Sequence, residues 1–142
     1  MSSRWLTGER IILTLWVGGM WAIGYIVAPA LFSSLDDRAL AGSLAGVMFR
    51  SIAWIGLFCA ILLLAGNQLR SAGRRLNWRA VVLIVMLVII VIGQFVLAPL
   101  ISSLRAAGAA NAAAFAWAHG AASLLYMVNS LLGLLLVVRE PG

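Results

Sequence analysis

The side chains in this chain that could do chemistry are few, and most of them fall in one segment. His119 is the single histidine, and Ser123, Tyr126, Asn129 and Ser130 follow it at helical spacing. At ~100° per residue, His119, Ser123, Tyr126 and Ser130 share one narrow stripe, while Leu124, Leu131, Leu132 and Leu135 lie away from it. Asn129 borders that stripe about 15 Å from His119, at 1.5 Å rise per residue. This arrangement predicts a polar file facing other helices, with the leucines turned outward. The plainer reading is ordinary hydrogen bonding between helices, often worth only about 1 kcal/mol per contact. Gln94 is the one strongly polar residue in a long run of valine, isoleucine and leucine. It is expected to bond another helix, at Asn129 or Ser123.

Neutral imidazole at His119 could bind a metal or haem iron, and protonated imidazole could relay protons or bind an anion. No cysteine or second histidine lies near it at metal-ligand spacing, so no metal site is assigned. Met20, Met48, Met86 and Met127 could offer thioethers to copper, although methionine at such positions usually packs. Haem and copper are therefore conceivable cofactors and not the favoured ones. Arg50 could snorkel to lipid phosphate, pair with Asp36 or Asp37, lie across Trp54, or bind an anionic group. Nothing resembles a nucleophile with its base, a carboxylate pair inside an apolar segment, or a phosphate-gripping glycine loop. No catalytic residue is assigned, and the expectation is a protein that is not an enzyme.

The elements that must carry these residues follow from composition. The chain has 142 residues, 64 % of them apolar, with ten basic and four acidic side chains. A conventional soluble surface cannot be built from that inventory, and no separate soluble domain remains. Four stretches are long and apolar enough to cross a hydrocarbon core of ~30 Å, which takes about 20 helical residues. They run from Ile11 to Phe32, Arg50 to Leu69, Ala80 to Ile101 and Ala116 to Val138. Their continuity and length favour helices over barrel strands. The first is too long, and too rich in tryptophan and glycine, for a cleaved signal core. Cys59, alone within the second, forms no intramolecular disulfide framework.

Arg4, Arg10, Arg70, Arg74, Arg75, Arg79 and Arg139 fall on one side of these spans, and Arg38, Arg50 and Arg105 on the other. The positive-inside rule then places both termini in the cytoplasm. The same charge attracts anionic lipid headgroups, and its spread over membrane edges argues against nucleic acid. Arginine without lysine, beside abundant alanine, points to a bacterial coding bias and hence to a multi-pass protein of the bacterial inner (plasma) membrane.

One phrase occurs twice. Ala28-Pro29-Ala30-Leu31-Phe32-Ser33-Ser34-Leu35 returns as Ala98-Pro99-Leu100-Ile101-Ser102-Ser103-Leu104, one residue shorter. Aligning the copies places Arg50 on His119. The chain is thus expected to be a single transmembrane domain over residues 1–142, made of two pseudo-repeated hairpins at about 9–69 and 79–138. The fold class is an all-α four-transmembrane-helix bundle, with Arg50 and His119 at a polar outer mouth. Pro29 and Pro99 should bend or end the first and third spans. Ser34 with Asp37 has capping-box-like spacing, which predicts a short helix leading into the second span. Gly18, Gly19, Gly24, Ala118 and Ala122 permit close helix approach. Trp5 and Trp78 at one edge, with Trp54 and Trp117 at the other, fit interfacial belts.

Trp16-Val17-Gly18-Gly19-Met20-Trp21, the Ala28 to Leu35 segment, Ala41-Gly42, His119-Gly120 and Ser123-Leu124 together resemble a bacterial four-helix membrane domain of unknown function related to eukaryotic transmembrane protein 205. The Trp-x-Gly-Gly opening is also similar to part of the copper-resistance protein D membrane domain. The resemblance implies a small integral membrane protein with no settled activity. The leading expectation is a transport-associated or small-molecule- or ion-binding component acting through Arg50, His119 and the polar file. The alternative is a structural or assembly subunit that packs with itself or another membrane protein. A haem or metal protein using His119 comes third.

Overall fold

The computed structural model describes residues 3–70, 76–108 and 111–139. Among them it is helical, in the order α1 (Ser3–Ala22), a π-helical turn (Ile23–Val27), α2 (Ala28–Ser34), α3 (Arg38–Arg70), α4 (Trp78–Ile92), a second π-helical turn (Gly93–Leu97), α5 (Ala98–Ala106) and α6 (Ala112–Val138). These join into four rods long and apolar enough to cross a membrane: Arg4–Ser34, Arg38–Arg70, Trp78–Ala106 and Ala112–Val138.

The two π turns stand directly before Ala28-Pro29 and Ala98-Pro99. Proline has no N–H, and its ring collides with the carbonyl four residues earlier. In both rods the residue before the proline donates to the carbonyl five residues back, Ala28 to Ile23 and Ala98 to Gly93. The wider turn accommodates the ring, and the helix continues past it. Neither proline ends its helix, which corrects one of the two outcomes expected at Pro29 and Pro99.

The second span also begins earlier than its apolar run. Asp37 Oδ1 accepts from the N–H groups of Ala39 and Leu40, at 2.8 and 3.1 Å, and so caps α3. Ser34 instead closes α2. No further short helix lies between α2 and α3, which runs unbroken from Arg38 through Arg50 to Arg70. The other turns use familiar chemistry. Asn77 caps α4 by accepting from Ala80 N–H at 2.8 Å, and Gly108 takes φ +77° after α5.

The helices form a ring in which α1 neighbours α3 and α6, and α4 neighbours the same two. Side-chain neighbours run antiparallel: Gly19 lies by Ile52 and Glu9 by Gly66, while Val17 lies by Gly133 and Gly24 by Tyr126. Trp16, Val17 and Met20 of α1 meet Ile52, Cys59 and Leu63 of α3, Leu83 and Met86 of α4, and Leu136 of α6 in the core. The outward faces are apolar too, with Leu15, Ile26, Phe58 and Trp117 each more than 60 % exposed. Such a surface is suited to contact with lipid.

A Cβ added to Gly56 would lie 2.5 Å from Trp16 Nε1 and 3.1 Å from Ile90 Cδ1, so three helices meet at this glycine. Gly56→Ala is expected to lower stability by about 1–3 kcal/mol through overpacking. Gly120→Ala adds a Cβ that meets nothing within 4 Å and should leave the unfolding midpoint unchanged or raised. Thermal unfolding in detergent compares the two directly. Equal midpoints would contradict the packing described.

Candidate functional site

The polar file of α6 is partly turned toward α1. Tyr126 OH donates to Met20 O at 2.6 Å, and Trp21 Nε1 donates to Ser130 O at 3.2 Å. Ser130 Oγ donates to Met127 O at 2.9 Å, which leaves its oxygen to accept from Tyr25 OH at 2.7 Å. Asn129 Nδ2 points at Met20 Sδ, 3.5 Å away. Gly24, within the first π turn, makes room for the Tyr126 ring, and that ring meets Phe49 edge-on at 4.9 Å. These groups fasten α6 to α1. They are bonds between neighbouring helices, which is the plainer of the two sequence readings.

His119 and Ser123 are exposed, and Ser123 Oγ donates to His119 O at 2.9 Å within its own helix. The inward face of α6 is marked by Ala118, Asn129, Ser130, Gly133 and Leu136. At ~100° per residue this direction lies roughly 80° from the centre of the expected stripe. The cause is packing: Gly133 lets Val17 and Met20 approach within 3.1 Å of where its Cβ would be, so small residues set the rotation of the helix. Leu124 and Leu131 are exposed as expected, whereas Leu132 packs against the core.

The outer residues do not gather into a site among the described residues. His119 stacks on Phe115 with ring centroids 5.8 Å apart, and the Arg105 guanidinium lies 5.6 Å from the same Phe115 ring. Arg50 is exposed on α3, with neither Asp36 nor Asp37 as an ion-pair partner, and Trp54 packs edge-on against Phe95. Gln94 sits half-buried in the second π turn and shares no hydrogen bond with Asn129 or Ser123. Met20 and Met86 are buried in the core, while Met48 and Met127 are exposed. No group of three or more His, Cys, Asp or Glu side chains converges as a metal site among the described residues.

A concentration of charge does occur at the opposite end. Glu9 of α1 is only 6 % exposed. Its Oε2 lies 2.6 Å from Arg70 Nη2 at the end of α3 and 3.1 Å from Arg79 Nη2 at the start of α4. Gly66 makes this possible, because Glu9 Oε1 occupies the space a Cβ there would need. Asn67 and Asn77 exchange two amide hydrogen bonds of 3.1 Å beside this cluster. Arg79 is a cation in the first turn of a helix, where the macrodipole disfavours positive charge, and the Glu9 carboxylate offsets that. Arg139 follows α6, its guanidinium 5.2 Å from the centre of the Trp78 ring.

This end holds a cavity of about 290 Å³, bordered by Glu9, Arg10, Thr14, Arg79, Val137 and Arg139. Among the described residues, three arginines stand against one carboxylate there, which leaves it positively charged. The sequence reading left Glu9 and Arg79 out of the site, although their helical phase could have found them. Glu9 continues the buried series Leu13, Trp16 and Met20, and Arg79 continues Leu83, Met86 and Ile90.

The described residues fold as helices, and four membrane-length apolar rods with an arginine-rich end are the make-up of a multi-pass membrane protein. The chain belongs to the family defined by the domain of unknown function DUF4149, whose model matches residues 11–110. No curated protein and no solved structure matches the chain, and the likeness to transmembrane protein 205 or copper-resistance protein D finds no support there.

Removing one partner of a buried ion pair strands the other. Glu9→Gln should therefore lower stability by about 3 kcal/mol. A double-mutant cycle with Arg79→Gln should show coupling of about 1–3 kcal/mol. Additive effects in reversible unfolding would contradict the pairing.

Proposed function

We propose that this protein is a non-enzymatic, ligand-binding component of the bacterial inner membrane, with both termini cytoplasmic, and that its site is the arginine-rich cavity at the cytoplasmic end. The observation that carries this is the convergence of Arg10, Arg79 and Arg139 on one concavity that Glu9 only partly neutralises. An anion is the natural occupant, because guanidinium groups donate charge-assisted hydrogen bonds to phosphate or carboxylate oxygens. The placement follows the arginine bias of the sequence. The site thus moves from the outer pair Arg50 and His119 to the opposite end. Tyr126 and the Ser130 carbonyl of α6 are taken up by α1 rather than arranged along an open path, which favours binding over transport.

Descent of the two halves from one duplicated hairpin is part of this proposal. It is supported by the shared order of helix, π turn, Ala-Pro and continuing helix in both halves. A second reading, an assembly subunit, draws on Gly46, Gly93 and Gly120, where an added Cβ meets nothing within 4 Å and a neighbouring helix could approach closely.

Titration of detergent-purified protein with sn-glycerol 3-phosphate, followed by ³¹P NMR or calorimetry, tests the proposal. Saturable binding is expected, weakened about tenfold or more in Arg10→Ala/Arg139→Ala from the loss of roughly 1 kcal/mol per arginine. Both residues are exposed, so the fold should survive. Absence of anion binding would overturn the proposal. A defined oligomer broken by Gly46→Leu would then favour the assembly reading.

A further inference from the structure

The basic cavity does not end at its charged rim. A second cavity of about 300 Å³ runs between α1 and α6, lined by Thr14, Val17, Gly18, Trp21, Leu134 and Val137. Thr14 and Val137 border both cavities, so the two adjoin one another. One is rich in guanidinium groups, and the other is almost wholly apolar. Gly18 keeps the apolar groove open: it is exposed, and a Cβ there would meet nothing within 4 Å, whereas its neighbour Gly19 is pressed against Ile52.

A single ligand that fills both must carry an anionic head and a hydrocarbon tail. Its head must also lie at the end of the bundle and its tail along the span. We infer that the α1/α6 cleft binds one anionic glycerophospholipid, its phosphate held by Arg10, Arg79 and Arg139 and one acyl chain lying over Gly18 between Trp21 and Leu134. This names the ligand of the proposed binding site and rests on that reading.

The geometry assigns distinct tasks to the residues. Arg79 is fixed by Glu9, at 3.1 Å, and presents a charge that does not have to be ordered when the lipid arrives. Arg139 is steadied against Trp78. Arg10 has no ion pair among the described residues and is free to turn toward a phosphate. Glu9 keeps net charge low enough for the arginines to sit close together, and it repels a second anion. The groove selects a chain rather than a compact anion, because its surface is almost wholly apolar. Basic pockets between membrane helices on the cytoplasmic side commonly take anionic headgroups. The apolar extension here makes the headgroup and the chain parts of one site.

Native mass spectrometry of the full-length protein, released from mild detergent after incubation with dioleoyl-phosphatidylglycerol or dioleoyl-phosphatidylcholine, tests this. One retained phosphatidylglycerol is expected, with phosphatidylcholine retained at least about tenfold less. Arg10→Ala/Arg139→Ala should weaken phosphatidylglycerol and sn-glycerol 3-phosphate alike. Gly18→Leu fills the groove and should weaken phosphatidylglycerol about tenfold while leaving sn-glycerol 3-phosphate unchanged. Matching unfolding midpoints for the variants exclude misfolding as the cause. Equal retention of the two lipids, or indifference of phosphatidylglycerol to Gly18→Leu, would overturn the lipid assignment. If sn-glycerol 3-phosphate binding persisted and still depended on Arg10 and Arg139, the broader anion-binding reading would stand without it.

Discussion

A carboxylate withdrawn from water cannot be left without a counter-charge, and in this protein that requirement falls on Glu9. The cost of an unpaired buried charge exceeds most of what a single helix contact can return. Arg70 and Arg79 answer it from the ends of two other helices, so α1, α3 and α4 are tied together at one point. The amide exchange of Asn67 with Asn77 holds the same pair of helix ends in register. Because two arginines share one carboxylate and two more lie close by, positive charge remains after the pairing is complete. That residue of charge is what the basic cavity offers to a ligand.

The opposite half of the bundle is fixed by different means. Pro29 and Pro99 each displace the backbone into a π turn, and the first of these turns brings Gly24 against the ring of Tyr126. Tyrosine and tryptophan hydrogen bonds then fasten α6 to α1, supported by the tilted contact of the Trp21 and Tyr25 rings, whose centres lie 4.7 Å apart. Bonds of this kind between membrane helices are individually modest. Their number, and the close approach permitted by Gly133, make the α1/α6 contact firm beside the cleft it encloses.

The four spans could be read from the chain because the need for long apolar helices overrides local detail. The start of α3 could not, since Arg50 looks like an end to an apolar run, while a helix needs only a cap, and Asp37 supplies one well before it. The rotation of α6 was misjudged because polarity is a poor guide to the inside when the outside is apolar as well. Small residues decide it, and Ala118 and Gly133 mark the contact face. Tyr126, Asn129 and Ser130 meet the first rod, while His119 and Ser123 are exposed. Glu9 and Arg79 were overlooked for a related reason: charges at span ends are usually solvated, and only their phase with the buried stripes distinguishes these two.

The most direct test of the ionic tie is a solid-state NMR dipolar measurement on protein reconstituted in bilayers, between ¹³C-labelled glutamate carboxyls and ¹⁵N-labelled arginine guanidinium groups. Glu9 and Glu140 are the only glutamates, so Glu140→Gln leaves Glu9 as the sole source of signal. Strong dephasing of the Glu9 carboxyl is expected, to the degree set by oxygen-to-nitrogen separations of 2.6 and 3.1 Å, with part of it lost in Arg79→Gln. A Glu9 carboxyl showing no guanidinium contact would contradict the account at its base.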